Sequence, residues 1–126
     1  MGEAPYVDAR EQLVVNLFVR DLGRSVAFYR RLGFELLGEQ GRFAALAWEG
    51  HWLFLEERDR PPAPDAPPQG NVRVMVPDVD RYWQLATELG LPVLGPIADR
   101  WYGLRDFTVL DPDGFGIRFA SRLADR

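Results

Sequence analysis

Apolar and polar positions alternate along residues 13–20, LVVNLFVR, with Leu13, Val15, Leu17 and Val19 on one side, which predicts a strand with one covered face. Asp21 then stands as an N-cap, and Leu22, Val26, Tyr29 and Leu32 recur at helical spacing until Gly33 ends the run. Three short strands follow at about 34–39, 43–48 and 51–57, punctuated by Gly41 and Gly50. The same sentence is then written again, 57 positions later. Residues 71–77 alternate around Val72, Val74 and Val76, and Asp78 caps a helix whose stripe is Val79, Trp83, Ala86 and Leu89. Strands at about 92–97, 105–110 and 115–120 complete the second copy, with Asp111 to Gly114, DPDG, as a turn before the last. Between the copies, RDRPPAPDAPPQG (58–70) carries five of the chain's ten prolines and reads as a linker.

The predicted fold class is therefore α+β, with two duplicated βαβββ modules: module 1 at about 13–57 and module 2 at about 71–120. Residues 1–126 are expected to form one domain. Its eight strands would curve into a cup, with the helices on the outer faces and a cleft at the centre. A repeat of this size points to a cavity shared by the two copies, and it pairs positions between them.

Composition removes several kinds of chemistry. All 15 basic residues are arginine, so lysine Schiff bases are excluded, and with no cysteine there is no disulfide, thiol nucleophile or thiolate metal site. The net charge of −4 argues against nucleic acid and modestly favours a cationic small molecule. No apolar run approaches a membrane span, and MGEAPYVDAR has neither a basic start nor an apolar signal core, so the expected location is cytoplasmic and no membrane partner is expected. Ser25, Ser121 and the single histidine, His51, make no triad, and there is no glycine-rich phosphate loop. The pairs Arg30–Arg31 and Arg58/Arg60 are expected at the solvated surface.

Three segments carry a resemblance: VRDLGRSVAFYRRLGF (19–34), VPDVDRYWQLATELGL (76–91) and YGLRDFTVLDPDGFGIRF (102–119). They resemble the vicinal oxygen chelate superfamily of glyoxalases, ring-cleaving dioxygenases and bleomycin resistance proteins, and the chain looks most like the last of these. The third segment is similar to that family's Trp-Gly-x-Arg-x-Phe…Asp-Pro-x-Gly signature, with Tyr102 in the Trp place. The resemblance implies a divalent metal held by His, Gln or Glu at four positions in the enzymes. Here those positions fall on Val14, Phe54, Asn71 and Arg118, with Gly50 matching Gly114 to set the register. Valine and phenylalanine supply no donor and a guanidinium repels a cation, so no metal and no cofactor are expected. Glu56, two residues beyond Phe54, is the alternative match, but one carboxylate does not hold a metal. His51 is expected to be a strand-start residue without chemistry, and Asp111 and Asp113 to serve the turn.

If the matched positions mark the cleft side, alternation supplies the rest of its lining. The first strand contributes Val14, Asn16 and Phe18, and the fourth Trp52, Phe54 and Glu56. The fifth contributes Asn71, Arg73 and Met75, and the eighth Arg118. The opposite faces, Leu13/Val15/Leu17/Val19, Leu53/Leu55, Val72/Val74/Val76 and Phe115/Ile117/Phe119, form a helix-packing core. By the resemblance Trp101 and Tyr102 wall a ligand groove, and Trp48 fits either face. Glu56 has three candidate partners: Arg73, Arg118 or a cation on the ligand.

The leading expectation is a metal-free binding protein that sequesters a hydrophobic or cationic natural product, bleomycin-like compounds among them, without catalytic residues. The resemblance implies a homodimer, with residues 1–12 available to cross to the partner. The alternative is a divergent metal-dependent lyase, isomerase or dioxygenase using Glu56 with Asn71 or His51. A third reading is a metal-free enzyme or ligand-responsive regulatory domain in which Arg118 orients an anionic substrate.

Overall fold

The computed structural model describes residues 4, 6–59 and 71–125. The chain divides into two compact units, Met1–Pro61 and Pro62–Arg126, with one βαβββ module in each. The proline-rich segment predicted as a linker lies, from residue 60 onward, outside the described residues.

In the first unit a short helix α1 (Ala9–Gln12) precedes β1 (Val15–Val19), α2 (Leu22–Leu32), β2 (Glu35–Gln40), β3 (Phe43–Trp48) and β4 (His51–Glu57). The sheet order is β1-β4-β3-β2, with β1 parallel to β4 and the remaining pairs antiparallel. The second unit repeats this plan with β5 (Asn71–Met75), α3 (Val79–Leu89), β6 (Ala98–Asp99), β7 (Leu104–Leu110) and β8 (Gly116–Arg122), ordered β5-β8-β7-β6. The duplicated α+β plan expected from the repeat is the fold observed.

Alternation decides which face each helix covers. Leu17, Val19, Leu53 and Leu55 are buried, as are Leu22, Val26, Tyr29 and Leu32 of α2. In the second unit Val74, Val76, Ile117 and Phe119 are buried in the same way, with Val79 and Ala86 of α3. Burying such side chains is worth about 1.5–3 kcal/mol each, which fixes the phase of every strand. Trp48 falls on the helix side: its ring meets Phe34 edge-on at 5.1 Å. A Cβ on Gly33, whose φ is 121°, would come within 3.1 Å of that ring, so the α2 stop has to be glycine.

Four local expectations are corrected. Leu13 is outside the strand and 89% exposed, because α1, capped by the Asp8 carboxylate on Arg10 N, runs up to it and the β1–β4 register opens at Val15 against Leu53. Leu89, at the end of α3, is 39% exposed, and Tyr82 takes the core place instead, stacked on Phe119 at 4.8 Å. The Asp78 side chain makes no cap bond. The hydroxyl of Ser121 accepts the N–H of Val79 at 2.8 Å and donates to the Val76 carbonyl at 2.7 Å. Residues 92–97 do not form a strand, since Pro92 and Pro96 lack the N–H a ladder needs. A single bridge, Val93 to Val109, precedes the two-residue β6. Among the described residues no helix is long and apolar enough to cross a membrane.

Candidate functional site

In the first unit, the face away from α2 is built by the β1–β4–β3 register. Asn16 lies opposite Phe54 and Phe18 opposite Glu56, while Ala45 and Phe43 of β3 oppose Phe54 and Glu56 from the other side. Alanine at 45 and 47 leaves room for the rings of Phe54 and Trp52. Phe54 packs on Phe43 at 5.1 Å between ring centres and on Trp52 at 6.1 Å. Phe18 and Phe43 remain 45% and 37% exposed, an apolar surface that the helix-packed core does not use.

Glu56 sits among these rings with both carboxylate oxygens engaged. Asn16 Nδ2 donates to Oε1 at 3.2 Å, and Arg58 Nε donates to Oε2 at 2.6 Å. Hydrogen bonds from Asn16 first and Arg58 second hold this carboxyl below its usual range. The Arg58 guanidinium also lies 4.4 Å from the centre of the Phe18 ring, a cation–π contact. Glu56 therefore pairs with neither Arg73 nor Arg118, the two protein partners expected for it. Arg58 is at the surface, as expected, and from there it also caps the aromatic face.

In the second unit, the face away from α3 centres on Asp106, which is 3% exposed. Arg100 Nε donates to Oδ1 at 2.7 Å, and the Tyr102 hydroxyl donates to Oδ2 at 2.5 Å. Arg118 Nη1 reaches Oδ2 at 3.3 Å and the Tyr102 oxygen at 3.4 Å. The bond to Asp106 stabilises the protonated phenol and pushes Tyr102 above the ordinary tyrosine value. Met75, 38% exposed, and Arg73 share this face. Trp101 touches the Tyr102 ring edge-on at 5.4 Å but is otherwise 95% exposed, so it stands clear of the sheet.

Of the ten side chains singled out in the sequence, Asn16, Phe18, Trp52, Phe54 and Glu56 thus gather on one sheet face. Arg73, Met75 and Arg118 share another, Tyr102 joins the Asp106 network, and Trp101 projects away. Phe43, Arg58, Arg100 and Asp106 were missed. Alternation along residues 43–47 places Phe43 on the Phe54 side. No period in the sequence marks which arginine reaches which carboxylate.

The residues at the four metal positions do not fit a divalent ion. The Phe54 ring is packed between two aromatics, the Arg118 guanidinium occupies a hydrogen bond to Asp106, and Glu56 is already held by Asn16 and Arg58. Among the described residues no three His, Cys, Asp or Glu side chains converge on one point. His51 is exposed at the start of β4. Asp111 serves the DPDG turn, its Oδ1 accepting from Asp113 N at 2.9 Å and Phe115 N at 2.8 Å.

A sequence model of the Glyoxalase/Bleomycin resistance protein/Dioxygenase superfamily matches residues 12–119. A bleomycin resistance protein of Geobacillus stearothermophilus is 30% identical over 130 residues, covering 89% of this chain and 97% of the relative. The crystal structure of TioX from Micromonospora sp. ML1 superposes with a TM-score of 0.74 at 29% identity, over 88% of this chain and 98% of that one. A bleomycin-binding protein solved in complex with bleomycin has the same fold, with a TM-score of 0.73 at 20% identity over 89% of this chain and 98% of that one.

Proposed function

Because the chain belongs to the glyoxalase/bleomycin resistance protein/dioxygenase superfamily, we propose that it is a metal-free binding protein. It sequesters a hydrophobic or cationic natural product, as a homodimer in the cytoplasm, without turnover. The observation that carries this reading is the aromatic face of the first sheet, where Phe18, Phe43, Trp52 and Phe54 surround one carboxylate. Such a surface gives a planar organic ligand apolar contact, with few polar groups to orient it. Its preference for a cation is illustrated by Arg58, whose guanidinium lies against Phe18 and is hydrogen-bonded to Glu56. A ligand ammonium or guanidinium taking that place would find the same ring face and the same carboxylate. The similarity to a bleomycin resistance protein makes bleomycin the first probe.

Native mass spectrometry with bleomycin and a panel of aromatic cationic natural products reads ligand stoichiometry, assembly and bound metal together. The expected result is a metal-free dimer that retains ligand, with Trp52 fluorescence quenched on titration. Phe54→Ala is expected to weaken capture at least ~10-fold, the loss of about 1.4 kcal/mol of contact. Stoichiometric Fe, Mn, Ni or Zn that is lost in Glu56→Ala overturns the reading in favour of a metal-dependent enzyme, as does ligand affinity indifferent to Phe54→Ala.

A further inference from the structure

Arg73 and Arg118 are direct partners across the parallel β5–β8 ladder, and Thr108 is the partner of Arg118 across β8–β7. Partners in a ladder point to the same side, so a row of Arg73, Arg118 and Thr108 crosses the sheet on the face away from α3. Two like charges placed directly opposite repel, and a sheet does not keep such a pair for its own stability. The nearby carboxylate does not balance them. Asp106 gives Oδ1 to Arg100 and Oδ2 to Tyr102, and Arg118 reaches it through Nη1 alone. The Arg73 side chain has no hydrogen bond or ion pair among the described residues, and Arg118 Nε is buried without an acceptor. The other acidic groups of this region, Asp80 and Asp99, are held on the helix-covered side by Arg105. Three guanidinium groups thus stand against one carboxylate on this face, and only Arg100 and Arg118 contact it. Beside Thr108 and Arg100 the surface sinks into a recess of about 260 Å³, walled by Leu94, Pro96 and Ala98.

We infer that this row is an anion-binding subsite, taking a carboxylate, sulfate or phosphate group of the captured molecule; it rests on the reading above that the protein binds a small organic ligand. Guanidinium forks match the spacing of two oxygens on such a group, and adjacent strands, about 4.8 Å apart, let both arginines address it. The Thr108 hydroxyl adds a neutral donor at the rim. The apolar walls of the recess then receive the carbon skeleton that carries the charge. The group so recognised is an anion carried on an apolar skeleton.

The test titrates the full chain with inorganic phosphate, sulfate, acetate and benzoate, following the arginine Nε–Hε resonances by NMR. Saturable shifts of the Arg73 and Arg118 signals are expected. Arg73→Gln is expected to weaken binding at least ~10-fold. It leaves no buried partner behind, so folding is unaffected. Arg118→Lys, which keeps the charge and loses the fork, is expected to weaken binding less than Arg73→Gln. Arg31→Gln, an exposed arginine of α2, is expected to leave it unchanged. Tighter binding of benzoate than of acetate assigns a carboxylate on an apolar skeleton, and tighter binding of phosphate assigns a phosphoryl group; either supports the subsite. Absence of a saturable shift with all four anions, or equal weakening by Arg31→Gln and Arg73→Gln, overturns it. None of these probes needs the aromatic face of the first sheet. Failed anion binding with intact capture of a natural product therefore sinks this inference alone, and the reverse outcome sinks only the proposed function.

Discussion

The carboxylate of Glu57 accepts the backbone N–H of Leu22 at 2.9 Å, so the last residue of β4 closes the first turn of α2. Ser121 of β8 does the same for Val79 of α3 at 2.8 Å. In each module a side chain from the final strands satisfies a helix N–H that has no partner within the helix. Strand and helix are thereby locked in register, which holds the opposite sheet face in place.

These locks differ in burial, and their stability contributions are expected to differ with it. Ser121 is fully buried and both accepts and donates, so Ser121→Ala is expected to cost about 1–3 kcal/mol, leaving Val79 N and Val76 O unpaired. The Glu57 side chain is 30% exposed, so water replaces part of what is lost and Glu57→Ala is expected to cost about 1 kcal/mol. Urea unfolding of the two variants checks the order. A Glu57→Ala cost above that of Ser121→Ala contradicts the assignment.

The aromatic face of the first sheet carries its own titration signature. Hydrogen bonds from Asn16 and Arg58 lower the Glu56 pKa from its ordinary 4.5. A depressed carboxyl contributes stability above the unfolded value, and that contribution fades as pH falls below 4.5 towards the folded pKa. Asn16→Ala and Arg58→Ala should each move the Glu56 carboxyl up towards 4.5, read from its side-chain carbon shift against pH. If neither variant moves it, the two hydrogen bonds are absent in solution.

The Asp106 network should show itself at the alkaline end. The Tyr102 hydroxyl donates to Asp106, which raises its pKa from 10.0. Stability from a raised tyrosine is fully present below the unfolded value and is lost as pH climbs through the folded one, so the window lies above pH 10.0. Phenolate absorbance should show Tyr102 ionising after an ordinary tyrosine, and Asp106→Asn should return it to the ordinary range. The same substitution leaves Arg100 and Arg118 short of a buried counter-charge and is expected to destabilise the fold by about 1–3 kcal/mol. An unshifted Tyr102 in the parent protein would argue against the contact.

Much of this was legible along the chain. The alternation of Leu17 and Val19 with Asn16 and Phe18, and of Leu53 and Leu55 with Trp52, Phe54 and Glu56, sorted one sheet's residues between the helix-packed face and the opposite face. The repeat paired Phe54 with Arg118 in the same way. The ends of elements were less legible. Leu13 has an apolar residue's pattern but no strand opposite it, and around Leu94 the ladder is confined to the single Val93–Val109 bridge between Pro92 and Pro96.

By itself, the sequence determined the duplicated βαβββ plan, the face taken by the apolar side chains at the strand centres, and which residue types stand at the positions matched to the family's metal ligands. Those follow from local periodicity and from the donor chemistry of single residues, which need no partner. The tertiary structure alone decided that Arg58 takes Glu56, that Arg100, Tyr102 and Arg118 converge on Asp106, and that Arg73 is left without a counter-charge. Ion pairs have no period. They depend on which strands and loops stand within about 4 Å of one another, and only the folded register sets that distance.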